Sequence, residues 1–154
     1  MKIFLDTNVL VSALATRGLC EDIFRLILVE YEMVVSEALL VEVDSALEEK
    51  LSLPRDVIES LIDFLSREST FSNTDRLIDI ELQDQTDIPI LSSAYNGGSE
   101  VFITGDKQLH LVGKIGDMMI LSPRMYWEMM TTIPSSFHRA SSQTAYNVAL
   151  EEEG

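Results

Sequence analysis

Four acidic residues stand where a charge needs a reason. Asp6 ends the apolar run KIFLD, Asp106 follows the run VFIT and a glycine, Asp87 opens DIPILSSAYNGG, and Glu42 lies inside SEALLVEV. Carboxylates are hard oxygen donors, and four that converged would supply the ligands a divalent cation such as Mg²⁺ or Mn²⁺ requires. Without a cation the same group would repel itself, and some members would take up protons. Each residue also has a plainer reading taken singly. Asp6 can cap a helix that starts at Asn8 or Val9. Glu42, with Ala38, Leu39, Ser45 and Ala46 three and four residues away, borders a packed face and can be a solvated surface glutamate. Asp87 suits the positive end of a helix, and Asp84 competes with it for the N-cap; Asp106 can be an ordinary turn aspartate.

Only a fold that brings distant segments together can unite these acids. Short apolar runs at Lys2–Asp6, Met33–Ser36, Val101–Thr104 and Met118–Leu121 read as four strands. Helical patterns lie between them. The segment Cys20–Glu32 is apolar on nearly all sides and predicts a well-buried helix, and Ser36 caps a helix over Glu37–Leu51. Pro54 opens another, with Val57, Ile58, Leu61, Ile62 and Leu65 on one face. A further helix starts near Asp87, tolerates Pro89 in its first turn and stops at Gly97-Gly98; Ser122-Pro123 begins the last. Strands alternating with helices predict an α/β sandwich whose parallel sheet is covered on both faces. Ligands of such sheets bind at the carboxyl ends of the strands, which is where Asp6 and Asp106 fall.

Composition narrows the classes. The chain has 154 residues, enough for one well-buried domain. No apolar run reaches the ~20 residues of a membrane helix, and no signal-like start is present, so an intracellular, cytoplasmic protein is expected. Cys20 has no partner for an internal disulfide and reads as a small half-buried apolar residue. The formal charge of −15 argues against nucleic acid unless cations neutralise a carboxylate cluster or a basic face is hidden in the average. His110 and His138 read as surface histidines.

The stretches FLDTNVLVSAL, SEALLVEV, DQTDIPILSSA and VFITGDKQL, in this order and spacing, resemble the PIN-domain ribonucleases across about residues 2–128. The last two look most like the branch of toxins from toxin-antitoxin modules. The resemblance implies a three-layer α/β/α sandwich with a central, mainly parallel sheet. It further implies a metal-dependent, endonucleolytic cut in RNA, with Asp6, Glu42, Asp87 and Asp106 as the acidic site for one or two Mg²⁺ or Mn²⁺ ions. Asn8 and Thr104 match supporting polar positions. An antitoxin protein and a homodimer or higher homo-oligomer are the implied partners beside the RNA substrate. Gln85 stands where relatives often carry proline, and Gln108 where many carry a further aspartate, which leaves a second metal less secured.

Other chemistries fit less well. A haloacid-dehalogenase-type phosphatase needs a second acid where this chain has Asn8, and a receiver domain needs its lysine on a later strand rather than at Lys107. No Walker loop or dinucleotide fingerprint is present. The alternative that stands is a non-catalytic module that binds a divalent metal or a partner through the same acids. Few cations are available to RNA: Arg17 and Lys107 lie nearest the acids in sequence, with Lys114 and Arg124 beyond. Binding should then be weak and salt-sensitive unless a second subunit extends the groove. The segment MYWEMM, with Trp127, could serve such a contact or pack in the core. Residues 1–130 are expected to form the nuclease domain. Residues 131–154, rich in Ser and Thr and ending in glutamates, form a tail or extension with a possible short helix, from which Arg139 could reach an acidic site and restrain it.

Overall fold

The computed structural model describes residues 1–132. Expectations for the tail, including His138, Arg139 and a helix near the C-terminus, lie outside the described residues. The element order is β1 (Lys2–Leu5), α1 (Thr7–Ala15), α2 (Leu19–Glu30), β2 (Glu32–Ser36), α3 (Glu37–Glu49), α4 (Arg55–Glu68) and β3 (Thr70–Ser72). There follow a 3-10 turn (Gln85–Asp87), α5 (Ile88–Asn96), β4 (Val101–Ile103), α6 (Lys107–Val112), β5 (Lys114–Ile115), β6 (Met118–Leu121) and α7 (Pro123–Thr132).

The strands form one sheet in the order β3-β2-β1-β4-β6-β5. Every pairing is parallel except β5 with β6. Ile3, Phe4 and Leu5 of β1 are all fully buried, as are Val101, Phe102 and Ile103 of β4. Successive strand side chains point to opposite faces, so burial of all six requires cover on both sides of the sheet. That is the three-layer α/β/α sandwich. Phe4 and Phe102 face each other in register and stack with ring centroids 5.5 Å apart.

Local chemistry sets the helix ends. Ser36 Oγ accepts from the N–H of Leu39 at 3.2 Å and starts α3. Ser122 Oγ accepts from Met125 N–H at 3.1 Å and starts α7. At the other end of α5, Gly97 lets the helix stop against the sheet: a Cβ there would lie 2.7 Å from Val34 Cγ1 and 2.8 Å from Ser72 Cβ. Only a residue without a side chain fits that approach.

Two expectations need correction. The sheet has six strands rather than four, because β3 and β5 are short edge strands without an apolar run of their own. The helix expected over Cys20–Glu32 is not buried all round. It ends at Glu30, buries Ile23, Phe24 and Ile27, and leaves Val29 82% exposed, since α1, α7 and β2 cover only part of its surface. In MYWEMM the core-packing alternative holds: Tyr126, Met129 and Met130 belong to the core, while Met125 is exposed.

Candidate active site

The strand order reverses direction between β1 and β4, the topological switch point at which open α/β sheets form their ligand crevice. Asp6 leaves the carboxyl end of β1 and Thr104–Asp106 leave that of β4. Helices that follow or precede parallel strands bring their N-termini to the same edge, so Asp87, at the start of α5, joins them. Glu42, on α3, closes the group from the side. The four acids line one cleft of about 370 Å³, together with Thr7, Asn8, Ser45, Glu49 and Lys50. A second cleft of about 460 Å³ adjoins it, shares Asp87 and Asp106, and runs between residues 81–84 and α6 past Gln108, Leu109 and Leu111.

Each carboxylate has its own support. Asp6 is the N-cap of α1 and accepts from Thr7 N–H at 2.8 Å through Oδ1 and from the Thr104 hydroxyl at 2.7 Å through Oδ2. The same Thr104 oxygen accepts from Asp106 N–H at 3.0 Å, so one buried hydroxyl ties the ends of β1 and β4 together. Asp106 is the N-cap of α6, its Oδ1 accepting from Gln108 N–H at 2.8 Å. The Thr7 hydroxyl donates to Glu42 Oε2 at 2.6 Å. Asp84 takes the capping duty of the 3-10 turn, accepting from Thr86 N–H at 3.0 Å and from the Thr86 hydroxyl at 2.6 Å. Asp87 makes no capping bond, and its carboxylate is left to the cleft. The competition between the two aspartates is settled in this way.

The electrostatics record the crowding. Burial pushes the Asp87 carboxyl up to about 6, helped by the charges of Asp84, Asp6, Asp106 and Glu42. Asp6 is raised as well, first by burial, while the bonds from Thr104 and Thr7 hold it down. Among the described residues no three acid, histidine or cysteine side chains stand close enough together to hold an ion as they are. Carboxylates that share a cleft repel one another, and a bound divalent cation would relieve that conflict. The donor chemistry fits: these are hard oxygen ligands with no thiol or imidazole among them.

The residues expected around the acids fall as follows. The Thr104 hydroxyl donates to Asp6, and Asn8 lines the cleft with its Oδ1 accepting from Lys50 Nζ at 3.5 Å. Arg17 and Lys107 are exposed and do not line the acid cleft, whereas Lys50, which no motif singled out, does. His110 is half-buried, not a free surface histidine: its Nε2 lies 2.6 Å from the Thr104 carbonyl, an acceptor, so that nitrogen carries the proton. His110 stands one turn of α6 after Asp106, its backbone N–H donating to the Asp106 carbonyl at 3.1 Å, so the four-residue spacing already held the signal.

No curated protein sequence is a significant match. Among solved structures, a chain from the crystal structure of VapBC2 from Rickettsia felis bound to a DNA fragment from their promoter superposes with a TM-score of 0.55 at 15% identity. The match covers 79% of this chain and 98% of that one, and shows the fold. No helix among the described residues is long and apolar enough to cross a membrane. The family model of the PIN domain matches residues 2–108, most of the chain, and the chain belongs to the PIN domain family, a family of nucleases.

Proposed function

We propose that this protein is a divalent-metal-dependent endoribonuclease that acts as the toxin of a toxin-antitoxin pair. The observation that carries the reading is the convergence of Asp6, Glu42, Asp87 and Asp106, from four separate elements, on one cleft at the switch point of the sheet. These residues would hold one or two Mg²⁺ or Mn²⁺ ions, which when bound polarise the phosphoryl oxygens and make a water nucleophilic near neutral pH. Asp6 is fixed from two sides by Thr7 and Thr104, so its oxygens meet the site without rearrangement. Glu42, aligned by the Thr7 hydroxyl, orients the attacking water with its remaining oxygen. Asp87 has no capping bond to break on meeting its ligand. No covalent intermediate on a protein nucleophile is required.

The toxin role rests on a different observation, the superposition on a chain of the Rickettsia felis VapBC2 assembly. An antitoxin protein would then be the cognate partner, and a homodimer the active form. The primary test is cleavage of a labelled single-stranded RNA with Mn²⁺ or Mg²⁺, with and without chelator, by wild type and Asp6→Asn. Metal-dependent cutting that the variant loses is expected. Absence of cutting, together with absence of Mn²⁺ binding by calorimetry, would move the assignment to a partner-binding module.

A further inference from the structure

The acid cleft poses a problem for any polyanion. Five carboxylates line it, those of Asp6, Glu42, Glu49, Asp87 and Asp106, against a single cation, Lys50. The adjoining cleft adds two further acids, Glu81 and Asp84, to the shared Asp87 and Asp106, and no cation. One or two divalent ions leave such a rim net negative, and the phosphates flanking the cut would still be repelled. The whole chain offers only 11 Lys and Arg. Among the described residues Arg25, Arg55 and Arg124 are already engaged with glutamate or aspartate partners on their own or neighbouring helices.

Lys50 differs from these. It caps the carboxyl end of α3 in helical conformation, and no ion pair holds it among the described residues. Its contact is neutral: Nζ lies 3.5 Å from the side-chain oxygen of Asn8, two residues after Asp6 on the neighbouring helix α1. Asn8 is exposed and Lys50 is exposed, so the ammonium is held at the mouth of the cleft rather than in the core. A neutral amide steers the cation without cancelling its charge, which a carboxylate in the same place would do. The helix end would also favour a cation, but that alone does not explain a side chain bridged to the segment that carries Asp6.

We propose that Lys50, positioned by Asn8, is a substrate-binding residue that takes a phosphate of single-stranded RNA next to the scissile one, and so fixes the side from which the strand enters the cleft. The proposal rests on the nuclease reading for the identity of its ligand. The backbone then passes over the Lys50 side, and the bases next to the cut are left to the adjoining cleft with Leu109 and Leu111. One phosphate neutralised on a single strand releases about 0.7 counterion, worth ~5-fold in affinity at 0.1 M salt.

The test compares wild type, Lys50→Gln, Lys50→Arg and, as a surface control, Arg67→Gln at an exposed position of α4. Steady-state cleavage of a short single-stranded RNA is followed at rising KCl, and binding of the same RNA is followed by fluorescence anisotropy in chelator. Lys50→Gln should raise KM ~5-fold with kcat nearly unchanged and flatten the slope of log affinity against log salt by about 0.7. Lys50→Arg should restore both, and Arg67→Gln should change neither. Unchanged KM and salt slope in Lys50→Gln would overturn the proposal, as would an altered Mn²⁺ affinity with an unaltered slope, since Lys50 would then merely offset the acids. Should wild type cut no RNA, the nuclease reading falls first. Anisotropy still decides the proposal, because a slope that depends on Lys50 keeps it and one that does not removes it.

Discussion

Replacing Asp87 by Asn should stabilise the metal-free protein at neutral pH, although it removes a residue from the proposed site. The folded chain pushes the Asp87 carboxyl from an ordinary 3.8 up to about 6, chiefly through burial and then through four neighbouring carboxylates. A folded pKa above the unfolded one means that the native state holds more protons between the two values, so stability falls as pH rises through this window. The penalty is absent below the unfolded value and complete above about 6. Two pKa units correspond to ~3 kcal/mol as a ceiling. The carboxyl is partly exposed, and screening by water and salt brings the expected gain of Asp87→Asn down to about 1 kcal/mol at pH 7. In a chain of this size that raises Tm by ~2–4 °C. Thermal unfolding in chelator at low salt, for both proteins at pH 7 and pH 5, measures it. The advantage of the variant should shrink to roughly half at pH 5, where wild-type Asp87 is mostly protonated. With millimolar Mn²⁺ at pH 7 the order should reverse, because only the wild type keeps the full ligand set. A variant no more stable than wild type at pH 7, or an advantage of equal size at both pH values, would refute the idea that crowded carboxylates strain this cleft.

Two further changes probe the frame around the site. Thr104→Val keeps the shape of a fully buried residue but removes the hydroxyl that donates to Asp6 and accepts from Asp106 N–H, and should cost ~2–3 kcal/mol in urea unfolding and weaken Mn²⁺ binding in calorimetry. An unchanged urea midpoint would show that the hydroxyl does not join the two strand ends. Gly97→Ala places a methyl 2.7 Å from Val34 Cγ1 and should cost about 1–3 kcal/mol by pushing α5 off β2 and β3. Thermal unfolding checks it, and a neutral result would mean that α5 shifts without loss.

What the sequence disclosed and what it hid follow from the range of the interactions involved. The strand ends at Asp6 and Asp106 were readable because an apolar run that stops at an acid is a local pattern, and the parallel sheet then forces both acids to one edge. Capping is local too, yet Asp84 and Asp87 could not be ranked until the 3-10 turn showed that Thr86 engages only the first. The edge strands β3 and β5 escaped notice because three and two residues cannot show a period, and their pairing is decided by β2 and β6. Lys50 was hidden for a deeper reason. A lysine in the last turn of an acidic helix looks like every other solvated cation, and its place at the cleft depends on α3 packing on α1, where Asn8 waits for it. The acids of a metal site stand out because folding must offset the cost of gathering like charges, while a lone cation among many anions costs nothing to place. A protein this acidic therefore shows the acids of its proposed site in its sequence, and the cation proposed to meet the substrate only in its fold.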